Sequence, residues 1–447
     1  MLKISKSLVS LFNRPSFHKS SIDGVRAIAV ILVIIGHVFF FQGKLFPEIS
    51  SYGAYFRADL GVDLFFTISG FLIGTLLFKE YQKTNYISFK TFYLRRFLRL
   101  MPVYLVAMFF GIFLLQNNPL AESGGSNAQN MWANILYVNN FIDISRQFMG
   151  WCWSLAIEEQ FYILIPGLLL FLLRSRRNKF NTLIFFLIFS CAIRFFVVFY
   201  YNFFPSEGFW GVPGSESWNK TFSLLYDNLH TRYGGLLIGV IGAYFYVYNN
   251  ESLKNFFKNR KSIILNYVAI ITFLIVFFRI DFLYFSEFTP QGLKIIEAPL
   301  SFIEKILFAF TVSITRNLFS LATIFIVLSS MFSKDFVSIK ASKFLSSKFF
   351  YPIAQLSYSA YLMHEMIQIW IFPKLAPMFK FLFNENNFLA LSANGLVSII
   401  LTFISAFMLY IFIERPFMEL RNSEPIMRFL NKSKQEVKRK ELIAGIS

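Results

Sequence analysis

The chain has 447 residues, of which 56% are hydrophobic and 15% charged, with a formal net charge of +18. A soluble domain of this length carries more charge, and apolar runs of roughly 20 residues, each enough to cross a bilayer, recur from end to end, so a soluble globular protein is excluded. The positive charge could suggest a nucleic-acid partner, but it is segregated by connection, which excludes that reading as well.

The pattern predicts an all-α, polytopic helical membrane bundle with about ten spans. These are residues 22–42, 60–79, 100–116, 154–173, 180–200, 231–248, 262–279, 306–331, 353–373 and 391–413. Alternate connections differ sharply in charge. Residues 79–99 hold Lys79, Lys83, Lys90, Arg95, Arg96 and Arg99 against Glu80, a net +5. Residues 174–180 hold Arg174, Arg176, Arg177 and Lys179, a net +4, and residues 249–261 and 332–352 are each net +3. On the other side, residues 41–59 balance, while 200–230 and 280–305 are each net −2. The positive-inside rule places both termini in the cytoplasm. No secretory leader is expected at MLKISKSLVSLFNR, which reads as a basic segment lying at the membrane surface over residues 1–21. Residues 417–447 read as a basic cytoplasmic tail, with Lys432 to Lys440 solvated or against headgroups. Cys152 and Cys191 make no disulfide framework. The outer connections carry Trp151, Trp210 and Trp218, whose rings could stack on sugars or sit in an interfacial aromatic belt.

The first span contains Arg26 and His37. Eleven residues are about three helical turns, so both project from nearly one face, roughly 16 Å apart along the axis. Ionisable groups inside lipid are costly and normally face a protein interior or a wet cavity. Arg26 could instead snorkel to headgroups and His37 serve as an interhelical contact. Asp63, in GVDLFFTISGFLIG near the outer end of the second span, is expected to orient His37 and raise its basicity, as a general base requires. Gly70 and Gly74, four apart in the same run, suit close helix packing. In TFYLRRFLRLMP, Arg95 and Arg99 share a helical face and could clamp a polyphosphate. Arg96 is explained by the positive-inside anchor alone. In WCWSLAIEEQFY, Glu159 suits a helix N-terminus, whereas Glu158 falls on an apolar stripe and is expected to face the bundle. Arg232, in HTRYGGLLIG, begins the sixth span. His364 lies inside the ninth, in LSYSAYLMHEM, with Tyr358 and Tyr361 before it and Glu365 directly after it. Glu414, in IERPFM, reads as the boundary of the last span. The four histidines lack metal-ligand spacing, so no metal is expected, and His18 and His230 are expected to be exposed. There is no phosphate-binding loop or dinucleotide fingerprint.

Cytoplasmic arginines that could hold an anionic donor, and an outer-half histidine that could activate an acceptor, together suit group transfer across a bilayer. A transporter of a polar or lipid-linked glycan would use the same polar path. The ordered motifs DGVRAIAVILVIIGH, GVDLFFTISGFLIG, FYLRRFLRLMP, WSLAIEEQFY, TRYGGLLIG, LSYSAYLMHE and IERP resemble the acyltransferase 3 family of integral-membrane acyltransferases, over residues 22–416. That family includes O-antigen acetylases of Gram-negative bacteria. The resemblance implies transfer of an acyl group, usually acetyl from acetyl-CoA, to a sugar hydroxyl of a lipid-linked or surface polysaccharide in the bacterial cytoplasmic membrane. It implies catalytic roles for His37, Asp63 and Glu158, and a donor site at Arg26, Arg95, Arg96 and Arg99. Arg232, His364, Tyr361 and Trp153 are expected on the acceptor side. Many family members carry an acid two residues after the sixth-span arginine, where this chain has Gly234. Many also append an outer esterase domain, so the chain is expected to be the stand-alone form.

Overall fold

The computed structural model describes residues 8–15, 20–43, 45, 57–115, 127–176, 178–207, 209, 214–289, 292–295, 299–421, 423–426, 428 and 430. His18, Trp210 and the basic stretch from Lys432 to Lys440 lie outside the described residues. Each of the ten expected spans falls on a helix. These are α1 (Ser20–Gln42), α2 (Ala58–Thr84), α3 (Phe89–Leu115), α4 (Trp153–Arg174), α5 (Lys179–Tyr200), α6 (Leu229–Tyr248), α7 (Arg260–Phe277), α8 (Phe302–Phe332), α9 (Phe350–Leu382) and α10 (Asn387–Leu409). A widened turn over Tyr410–Glu414 carries α10 on to Leu420. A small antiparallel hairpin pairs Ser286–Thr289 with Gly292–Ile295.

The protein is an all-α polytopic membrane bundle. Eight of the ten helices are long and apolar enough to cross a membrane. The exceptions, α6 and α9, have 20 and 33 residues. Their lower hydropathy has a clear source: α6 carries Arg232 with several glycines and tyrosines, and α9 carries His364, Glu365, two glutamines and three prolines. Both face inward, with a continuous buried run from Ser359 to Ile369 in α9. By contrast, α5 and α7 are the least buried of the apolar helices, which leaves their phenylalanines and isoleucines for lipid.

Helix ends follow local chemistry. Asn178, Asn259, Asp335 and Asn386 cap the helices that follow them through side-chain oxygens, and Ser301 with Glu304 forms a reciprocal capping box at α8. At the basic end of the bundle, Arg14 donates to the carbonyls of Ser346 and Ser347 and pairs with Asp23 at 3.1 Å. Leu11 is buried against α1, α9 and α10 while Leu8, Val9 and Phe12 stay exposed. Both cysteines are free.

The closest helix contact joins α2 to α6. A Cβ on Gly70 would overlap the Leu236 carbonyl, one on Gly239 would overlap the Thr67 carbonyl, and Gly74 lies against Val240 and Ala243. Missing side chains let the two backbones touch, as small residues do between helices in lipid. Gly70→Val or Gly239→Val is expected to lower the thermal unfolding temperature of the detergent-solubilised protein, at an overpacking cost of about 1–3 kcal/mol. Gly167→Ala, which meets nothing within 4 Å, should leave it unchanged.

Candidate functional site

Three groups of polar side chains are built inside the bundle. The first lines a cavity of about 660 Å³ that runs inward from the basic end. α1 contributes Asp23 and Arg26, α2 contributes residues from Val62 to Lys79, and α3 contributes Arg96 and Arg99. Glu158 and Tyr162 come from α4, and Ser357, Tyr358 and Tyr361 from α9. Arg421 joins them beyond α10. Arg26 donates to the Ser357 hydroxyl at 2.9 Å, and the Arg96 guanidinium lies 5.0 Å from the centre of the Tyr162 ring. Arg99 is here as expected. The arginine beside it on the cavity wall is Arg96 rather than Arg95: the helix phase set by packing of α3 turns the i, i+3 pair inward instead of the i, i+4 pair. Glu414, expected as a boundary residue, is buried and accepts from Ser359 at 2.8 Å.

Beyond the cavity stands a second group. His37 on α1 meets His364 and Glu365 on α9. His37 Nε2 lies 3.0 Å from Glu365 Oε1, and His37 Nδ1 lies 3.2 Å from His364 Nε2. The remaining contacts fix the tautomers. His37 Nδ1 is 2.9 Å from the Val33 carbonyl, and His364 Nδ1 is 2.6 Å from the Tyr361 carbonyl. A carbonyl oxygen only accepts, so both Nδ1 atoms carry protons. The His37 Nε2 lone pair therefore faces Glu365 Oε1. His364 and Glu365 are buried, whereas the His37 side chain keeps 24% of its surface exposed. The three ligand-type atoms lie within 4.8 Å of one another, a convergence from two helices that sequence spacing does not display.

Tyr361 forms the boundary between these groups. Its ring lines the cavity and lies 5.4 Å from the His364 ring. Its hydroxyl donates to the Trp151 carbonyl at 2.8 Å and meets Ser154 Oγ at 2.6 Å.

The third group corrects the expectation for Asp63. Its carboxylate does not orient His37, because both oxygens are engaged by arginines: Oδ1 accepts from Arg232 at 2.9 Å and Oδ2 from Arg316. Arg316 also reaches Asp59 at 3.2 Å, and Asp59 is held by Arg57 at 2.9 Å. Arg232 lies 5.1 Å from the Trp153 ring and 4.6 Å from that of Tyr226. Arg232 and Trp153, both expected near the acceptor, thus belong to this ionic node. Gly234 has a physical explanation here, since Asn317 of α8 occupies the space a side chain would need and donates to Ser190 at 3.1 Å. Arg316 was missed by the sequence reading, although an arginine inside an apolar span is itself a signal. The same holds for Arg194, buried in α5 and donating to the Thr231 and Val312 carbonyls.

Comparison with known proteins agrees with this architecture. A family profile described as an acyltransferase domain matches residues 19–412. The chain belongs to the acyltransferase 3 family. It is 33% identical over 232 residues to a Staphylococcus aureus protein named "Putative O-acetyltransferase", covering 50% of this chain and 34% of that one. It is 36% identical over 170 residues to the peptidoglycan O-acetyltransferase OatA of Listeria monocytogenes, covering 35% and 25%. A third relative, the nose resistant to fluoxetine protein 6 of Caenorhabditis elegans, is 30% identical over 181 residues, covering 34% and 22%. The chain spans about a third of the length of the first of these relatives. No solved structure matches it.

Removing one partner from a buried charge cluster leaves the others uncompensated, at about 3–5 kcal/mol. Asp63→Asn is therefore expected to destabilise the solubilised protein by that order. Glu251→Gln, which removes an exposed ion pair with Lys254, should shift the unfolding midpoint negligibly. Equal midpoints for the two variants would remove the node from the stabilising framework.

Proposed function

We propose that the protein is a membrane O-acyltransferase that moves an acetyl group from acetyl-CoA to a hydroxyl of a carbohydrate, with His37 as the general base. The observation that carries this reading is the sequence of groups along one path: a cavity holding Arg26, Arg96 and Arg99, then Tyr361, then the close pair of His37 and Glu365. Guanidinium groups recognise phosphate oxygens, and a partly exposed imidazole with a defined tautomer suits proton transfer. Family membership supports acyl transfer, and relatives named for O-acetyl transfer support oxygen as the acceptor atom.

In this mechanism the phosphates of the donor rest on Arg26, Arg96 and Arg99, and the thioester extends towards Tyr361. The acceptor hydroxyl approaches from the opposite end of the bundle and gives its proton to the free lone pair of His37 Nε2, and the imidazolium that forms is paired with the Glu365 carboxylate. Its oxygen attacks the thioester carbonyl. Collapse of the tetrahedral adduct breaks the C–S bond, and the thiolate leaves with the proton held by the pair. His364 fixes His37 from the Nδ1 side. Arg95, Asp63, Arg232 and Trp153 act on the framework around this path. The acceptor is a lipid-linked or surface polysaccharide, such as lipopolysaccharide O-antigen, and the protein works in a bacterial cytoplasmic membrane. The relative named for peptidoglycan supports a glycan acceptor in general.

His37→Gln is expected to lower acetyl-CoA-dependent glycan acetylation by about 10²–10⁴-fold, the range of general base catalysis, while CoA still raises the thermal stability of the purified variant. Mass spectrometry of surface glycan from matched cells reads the product. Unchanged acetylation in the variant would remove His37 from the chemistry. Wild-type protein that gains no stability from CoA would favour glycan transport instead.

A further inference from the structure

Glu158 is the anomaly in the donor cavity. Cations line that cavity, namely Arg26, Lys79, Arg96, Arg99 and Arg421, and of its two carboxylates Asp23 is paired with Arg14 at the basic end, whereas Glu158 stands well inside the mouth. Along α2 the cavity wall runs from Lys79 through Ser69 and Phe65 to Val62, and along α4 from Tyr162 through Glu158 to Ser154. At 1.5 Å per residue, Ser69 is about 15 Å inward from Lys79 and Phe65 about 6 Å further. Glu158 faces Ser69 at this middle level. Ser69 donates to Oε1 at 2.8 Å and Tyr162 to Oε2 at 3.1 Å. The carboxylate partner of His37 is Glu365 rather than Glu158.

Two hydroxyls thus fix the carboxylate while each oxygen keeps a lone pair for another donor. A phosphate is disfavoured beside it, because like charges at close range repel. A ligand segment that suits it carries N–H or O–H donors instead. We infer that Glu158, held by Ser69 and Tyr162, is the subsite for the amide-bearing arm of the donor, accepting an N–H hydrogen bond from the pantetheine chain between the phosphates and the thioester. The inference rests on the acetyl-CoA reading. It moves Glu158 from the catalytic role that the family resemblance implied to donor positioning. The cavity then matches its ligand in order, with guanidinium and ammonium groups at the phosphate end, a hydrogen-bond acceptor at the amides and Tyr361 at the acyl end.

Binding of CoA and of adenosine 3′,5′-bisphosphate, which is the nucleotide end without the arm, is measured on the purified full chain by calorimetry. A hydrogen bond to a charged partner contributes enough for roughly a tenfold change in affinity. Glu158→Gln should weaken CoA roughly tenfold and leave the bisphosphate unchanged, with the same split in KM for acetyl-CoA at nearly constant kcat. Glu158→Asp, which withdraws the carboxylate but keeps its charge, should give a smaller loss in the same direction and serves if the glutamine variant does not fold. Tighter binding of both ligands to Glu158→Gln would mean that Glu158 acts only as a charge near the phosphates, and equal weakening of both would mean a structural role; either overturns the inference, as does no change in either. If wild type binds neither ligand, it is the acetyl-CoA reading that fails.

Discussion

The seam between α1 and α9 is the contact on which the candidate chemistry depends. Four residues of α9 at helical spacing, Ser357, Tyr361, His364 and Gln368, include three that bond directly to α1. Ser357 holds Arg26, His364 holds His37, and Gln368 donates to the Ile34 carbonyl at 3.0 Å. The fourth, Tyr361, anchors His364 through its carbonyl. Polar contacts between membrane helices exchange a cost in lipid for a fixed register. A rotation of either helix by one residue would break all of these contacts together. The register that places Arg26 on the cavity wall is therefore the one that places His37 against Glu365.

A second framework holds the opposite wall. α2 touches α6 backbone to backbone through Gly70 and Gly239, and the Asp63 carboxylate ties both α6 and α8 to α2 through Arg232 and Arg316. The glycines set the distance and the carboxylate sets the rotation. α2 contributes to the cavity on the face that carries Ser69 and Lys79. The ionic node thus acts on the cavity through the orientation of α2, without lying in it.

Much of this was legible in the sequence because it is local. The ten helices follow from apolar run length, and the shared stripe of Arg26 and His37 follows from helical period. Arg99, Glu158, Tyr361 and His364 were all recognisable as ionisable or polar groups within spans. Pairing was not legible. Asp63 and His37 both belong to outer halves of their helices, so proximity in depth suggested a contact, but depth does not fix azimuth. Arg316 is 253 residues from Asp63 in the chain, and only the packing of α8 brings them together. The exchange of Arg95 for Arg96 has the same origin, since adjacent residues on a helix differ by 100° and the phase is set by neighbours. Glu365 was in view beside His364 but unassigned, because i, i+1 neighbours on a helix do not face each other. His37 reaches both by lying between their directions.

The arrangement separates two incompatible electrostatic requirements. A polyphosphate needs concentrated positive charge, whereas a base must lose and regain a proton without an adjacent cation holding it deprotonated. In one wet site these would conflict, because a field that attracts phosphate disfavours protonated imidazole. Here about 16 Å of α1 lies between Arg26 and His37, and the cavity ends at Tyr361, whose hydroxyl is already committed to Trp151 and Ser154. The arginine field is confined to one end. The His37–Glu365 pair sits beyond an aromatic wall. Distance along a helix, which a membrane bundle provides at no extra cost in length, is what lets one protein place an arginine-lined cavity and a buried histidine–carboxyl pair on a single path.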